Sequence, residues 1–147
     1  MTPSLSELNL RHVDPAKLLL QRTDFTGEVP DWFEEASAGS FHCLGWYSGA
    51  VLATLETKYQ HKFYVAVIAV SGLFATDEQI QAPAPKEKDD SVLAAATPDE
   101  MRSFAERAVE DLYPFLRQEV YQLTGRFQGI QGVMLQPHPQ LGPQTES

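Results

Sequence analysis

Four histidines (His12, His42, His61 and His138), one cysteine (Cys43) and several adjacent acid pairs are the residues of this chain whose types could do acid–base, nucleophilic or metal chemistry. The acid pairs include Glu34-Glu35, Asp77-Glu78, Asp89-Asp90 and Asp99-Glu100. Their spacing assembles none of those chemistries. No histidine stands at a metal-ligand spacing from another His, Cys or carboxylate. Cys43 lies in the apolar stretch Phe41 to Trp46 and reads as a small buried hydrophobe, with no Cys–His signature around it. A general acid needs a pKa raised by burial, whereas the acid pairs sit on polar segments and read as solvated charge. There is no nucleophile elbow, and around the glycines from Gly125 to Gly132 the basic and hydroxyl partners of a phosphate cradle are sparse. The sequence gives no case for an enzyme, a metal or a cofactor.

What remains is apolar surface. Trp32, Phe33, Trp46, Phe74, Leu112, Phe115, Leu116 and Val120 are the candidates for a groove. A chain of 147 residues supports one domain with a modest core, and an aromatic content of 10% gives that core more rings than it has room for. An exposed or interfacial use of some of them, or oligomerisation, is the expectation. The formal net charge of −9 disfavours a phosphate-tracking nucleic-acid surface and an anionic membrane surface, and keeps exposed apolar area in solution by self-repulsion. A single cysteine allows no intrachain disulfide. The start of the chain has no basic segment followed by an apolar run, and the longest apolar stretch, Phe63 to Val70, is too short for a membrane helix. A cytoplasmic chain is expected.

The elements that must position these residues follow from periodicity and breakers. Residues 1–16, with Pro3 and Pro15, read as a flexible start, and the domain as 17–137. Lys17 to Phe25 is a first strand, stopped by Gly27 and Pro30. Phe41 to Tyr47 and Val51 to Tyr59 are strands joined at Ser48-Gly49. Val51, Ala53, Leu55, Thr57 and Tyr59 share one face of the second. Phe63 to Phe74 is apolar on both faces, so both are expected to be covered, one by the domain's own helix and the other by a second subunit or a ligand. Residues 76–96, with Pro83, Pro85 and a charged run, read as a mobile loop. Thr97-Pro98-Asp99-Glu100 is a capping box with proline at the first helical position. Met101, Phe104, Ala105, Ala108 and Leu112 then recur at helical spacing. Pro114 is expected to kink or restart that helix, and Gly125 to end it. Residues 138–147 read as a frayed tail. Strands first, then a long helix, make an α+β fold: an antiparallel sheet with a proline-interrupted helix across one face.

Leu112-Tyr113-Pro114-Phe115-Leu116-Arg117-Gln118-Glu119-Val120 resembles the main helix of the SecB export-chaperone family. There an apolar pair, a proline, an aromatic, a small or apolar residue and an arginine recur in that order. Gly125-Arg126-Phe127 and Val133-Met134-Leu135-Gln136-Pro137 resemble the family's glycine turn and its short apolar stretch ending in proline. Tyr64 to Ala75 resembles its strand with a Gly-aliphatic-Phe ending, here Gly72-Leu73-Phe74. The pieces cover roughly residues 50–75 and 110–137.

The resemblance implies a four-stranded antiparallel sheet under one long helix. It also implies protomers assembled as a dimer of dimers, and unfolded clients held as extended segments in apolar grooves without nucleotide or metal. Its implied partners are preproteins and the SecA motor, or an antitoxin. Carried over residue by residue, it implies groove or core-interface positions, read as client contacts, at Phe74, Leu112, Phe115 and Leu116, and a SecA-facing patch at Asp24, Glu28 and Asp31. Trp32 and Phe33 join the client set on their own context, two rings beside acids. The chain departs from the family after Pro137, where a short polar tail replaces a further helix, and in its acidic, proline-bearing loop.

Overall fold

The computed structural model describes residues 4–23, 28–47, 49–76, 92–126, 132, 133 and 135. Four strands, β1 (Asn9–Arg22), β2 (Ser40–Tyr47), β3 (Ala50–Gln60) and β4 (Tyr64–Ala75), form one antiparallel sheet in the order β1-β4-β3-β2. A short helix, α1 (Asp31–Glu35), lies between β1 and β2, and a long one, α2 (Pro98–Thr124), follows the sheet. This is the expected α+β architecture.

Register follows from side-chain alternation. Val51, Ala53 and Leu55 of β3 pair with Phe74, Gly72 and Val70 of β4, and all turn to the side that α2 covers. Burying each larger aliphatic there is worth about 1.5–3 kcal/mol. Being central, β4 is buried along nearly its whole length. Its second face is covered differently from expectation. Val65 and Val67 pack under Phe33 of α1, with Leu19, Val29, Trp32 and Ala36 around them, so part of that face is closed by the chain itself.

The first strand begins at Asn9, well before Lys17, and the turn Leu5–Glu7 precedes it. Leu5 and Leu8 are buried against α2, and Arg107 donates from Nη2 to the Leu5 carbonyl at 2.9 Å. Residues 5–16 are therefore part of the packed domain, a correction to the flexible start. Pro15 is tolerated because β1 is an edge strand and the register shifts between Pro15 and Lys17. A second shift, between Leu10 and His12, breaks the alternation that would mark a strand in the sequence.

The capping box of α2 is formed: Thr97 Oγ1 accepts from the Glu100 amide at 3.2 Å, and the Thr97 amide donates to Glu100 Oε1 at 3.1 Å. The helix then runs through Pro114 for 27 residues without the expected restart. Pro114 and Glu110 are both exposed, so the carbonyl that loses its amide partner at this turn faces water. Gly72 permits a close approach of α2 to the sheet. A Cβ there would lie 2.5 Å from Leu112 Cδ2 and 2.7 Å from Leu10 Cδ1.

Past Gly125 the chain folds back on α2. Thr124 Oγ1 donates to the Val120 carbonyl at 2.6 Å and accepts from the Val133 amide at 2.7 Å. Arg117 Nε donates to the Leu135 carbonyl at 2.8 Å. The expected loop core (77–91) and the tail (138–147) lie outside the described residues.

Candidate binding surface

The six residues expected to contact clients fall in three places. Phe74, Leu112 and Leu116 are buried in the core between sheet and helix, where Phe74 meets Phe104 edge-to-face at 5.2 Å. They fasten α2 to the sheet, the core-interface place that the resemblance allows beside a groove. The reason is helical spacing: Leu112 and Leu116, one turn apart, share the stripe that faces Phe74. Phe115 lies outside that stripe and is 44% exposed. Trp32 and Phe33 lie on the sheet face away from α2. Trp32 is half-buried, with its ring 6.5 Å from that of Phe33. Phe33 is buried, with Lys58 Nζ 4.7 Å above its ring and donating to its carbonyl at 3.1 Å. Of the acidic set, Glu28 and Asp31 are exposed in or just before α1, beside the exposed Glu34 and Glu35. Asp24 and the side chain of Trp46 lie outside the described residues.

The face away from α2 has a layout that the sequence reading missed. At one end stands the aromatic patch of Trp32 and Phe33 over Val65, Val67 and Leu19. A polar belt follows. Lys17 Nζ and Glu56 Oε1 meet at 3.2 Å, their strands flanking Ala69 of β4, and Glu56 Oε2 accepts from the Ser37 amide at 3.2 Å. One rung on, Thr54 and Ser71 hydroxyls share a 2.7 Å hydrogen bond. Beyond it Leu44, Leu52 and Leu73 stand side by side on β2, β3 and β4. Leu44 is 54% exposed and Leu52 half-buried. Val67 and Leu73, which mark the two apolar ends, are six positions apart on β4, about 20 Å of extended strand. One signal in the sequence could have found this patch: Phe41 and Cys43 alternate with His42 and Leu44, so only one of these pairs can face the core.

The titratable groups are disposed for structure. Burial pushes the Cys43 thiol up to about 11, as expected of a half-buried side chain packed against the helix-side core. His61 stacks on Tyr64 at 4.9 Å, and its Nδ1 accepts from the Phe63 amide at 3.2 Å. Among the described residues no cluster of three His, Cys, Asp or Glu could hold a metal ion, and no helix is long and apolar enough to cross a membrane. A hollow at the start of α2 is lined by Ser6, Asp99, Glu100, Ser103, Phe104 and Arg107. Its charged groups are engaged: Glu100 in the cap, Asp99 with Arg102 at 3.6 Å and Arg107 with Leu5.

This fold, a four-stranded antiparallel sheet under one long helix, is shared with two solved structures, one of them a SecB-like chaperone. The Mycobacterium tuberculosis Rv1957 SecB-like chaperone, solved in complex with a ChAD peptide from the Rv1956 HigA1 antitoxin, matches with a TM-score of 0.56 and 17% identity over 91% of this chain and 89% of that one. A protein of unknown function from Streptococcus agalactiae matches with a TM-score of 0.52 and 12% identity over 88% and 97%. No family model and no curated protein matches the chain.

Proposed function

We propose that this protein is a chaperone-type holdase that captures extended, aggregation-prone polypeptide segments. The observation that carries the reading is the sheet face away from α2, where two apolar patches flank a polar belt on a SecB-like fold. Capture there buries apolar side chains at roughly 25 cal/mol per Å² and needs no reaction chemistry. The belt keeps the patches separate, so a client is held at two points along its length.

Among clients, an antitoxin is the reading with a specific observation behind it, since the Rv1957 chaperone binds an antitoxin peptide. Preprotein delivery to SecA, assembly as a homotetramer and a cytoplasmic location belong to the same proposal as its wider setting. The test is light scattering of a chemically unfolded model client diluted into buffer with equimolar protein. Suppressed aggregation, with a change in Trp fluorescence on client addition, is expected. Unchanged aggregation at several-fold excess of protein would remove the reading.

A further inference from the structure

We propose that the sheet face away from α2 reads spacing: it selects segments that carry two apolar side chains six positions apart with polar side chains between them, the interval from Val67 to Leu73 on β4. The proposal rests on the holdase reading above and deepens it by naming the sequence pattern of the client.

The polar belt crosses the sheet from edge to edge. His42, Thr54, Ser71 and Asp14 stand opposite one another in one line over β2, β3, β4 and β1. Residues directly opposite share a face, so all four lie on the side of Val67 and Leu73. The neighbouring line, Ser40, Glu56, Ala69 and Lys17, is aligned in the same way. Each line is bonded within itself, through the Thr54–Ser71 hydroxyl pair at 2.7 Å and the Lys17–Glu56 ion pair at 3.2 Å. His42 and Asp14 are exposed, and Thr54 and Ser71 half-buried. Water completes the hydrogen bonding of such groups. An alkyl or aromatic side chain pressed onto the belt strips that water away and offers no partner in exchange, which is unfavourable. The belt therefore acts against apolar side chains, besides separating the patches.

An extended segment advances about 3.3 Å per residue and turns alternate side chains to one side. Laid along β4 with residue i over the Trp32 and Phe33 end, it sets i+2 over the line of Ala69 and i+4 over the line of Ser71. Residue i+6 then reaches Leu44 and Leu52, which flank the line of Leu73. The pattern is apolar, polar, polar, apolar at alternate positions.

Charge selects the occupant. The chain carries −9, and Asp31, Glu34 and Glu35 of α1 are exposed around the aromatic end. A second copy of this chain would bring like charge to this face, whereas a foreign segment without net negative charge meets no such repulsion.

The test uses fluorescein-labelled peptides of about ten residues, a full strand's length, made of Thr and Ser and ending in lysine. Two Phe are placed six, four or three positions apart, and a further peptide carries one Phe. Binding to the full chain is read by anisotropy. The six-apart peptide is expected to bind about tenfold or more tightly than the others, as burial of a second ring gives. Replacing its two belt-facing Thr by Leu is expected to weaken it severalfold, although apolar surface is added. Against the protein with Thr54→Val and Ser71→Ala together, the same replacement is expected to tighten binding. Leu44→Lys is expected to reduce the six-apart peptide to the level of the one-Phe peptide. Leu18→Lys, on the helix side opposite Ile68, is expected to leave it unchanged. Affinity that follows the number of apolar residues whatever their spacing overturns the selection and leaves the holdase reading standing. Spacing dependence that survives Leu44→Lys overturns the placement on this face. Failure of every peptide to bind overturns both.

Discussion

At the residue scale, burial separates side chains that the sequence places in one class. Leu112 and Phe115 are near neighbours in one apolar run, yet Leu112 is fully buried and Phe115 is 44% exposed. Leu112→Ala should cost about 2–5 kcal/mol in urea unfolding, and Phe115→Ala less than about 1 kcal/mol. Equal losses would mean that the helix is rotated from the position described. Gly72→Ala should cost about 1–3 kcal/mol, because its new methyl must displace Leu112 and Leu10. Cys43 gives a pH dependence whose sign is fixed. Its folded pKa, about 11, lies above the ordinary thiol value of 9.0, so the folded state keeps its proton while the unfolded chain loses it. Stability is then whole below about pH 9 and falls as pH rises toward 11. Denaturant midpoints across that range should fall less steeply for Cys43→Ala.

At the element scale, Pro114 and the cap of α2 pull in opposite directions. Pro114→Ala restores an amide to the helix and should raise the unfolding midpoint by the equivalent of about 1 kcal/mol or more. Thr97→Ala should lower it by about 1 kcal/mol. Circular dichroism melts of the two variants would show the order, and a drop for Pro114→Ala would point to a role beyond the helix. The cap was legible because Thr97, Pro98 and Glu100 are local signals that need no tertiary partner. So were β3 and β4, whose alternation and two-sided apolar pattern are unbroken. β1 was half legible: two bulges shift the phase at Leu10 and Pro15, and a proline masks an edge strand that does not need its amide. The face that each apolar residue joins was not legible where it depends on a distant partner. Phe74 enters the core because α2 lies over it, and Trp32 stays outside because α1 covers the other side.

At the scale of the whole molecule, one sheet face is sealed by α2 and the other is half-closed by a five-residue helix. The half-closed face carries both apolar patches, so an assembly or a client that covers it removes exposed apolar area from water. Static light scattering should give a native mass that is a multiple of the single chain, and the proposed tetramer sets the value. A monomer that still holds a client would separate binding from assembly.

β4 supplies alternate side chains to both faces, Val65 and Val67 to one and Ala66 and Ile68 to the other. It is a wall shared between two rooms, and a load on one side is felt in the other. On the proposed reading, a client pressed onto the outer face would stiffen the same backbone that supports α2. Deuterium uptake at β4, and in the α2 turns above it, should therefore slow when a client binds, reporting occupancy on the side the client never touches.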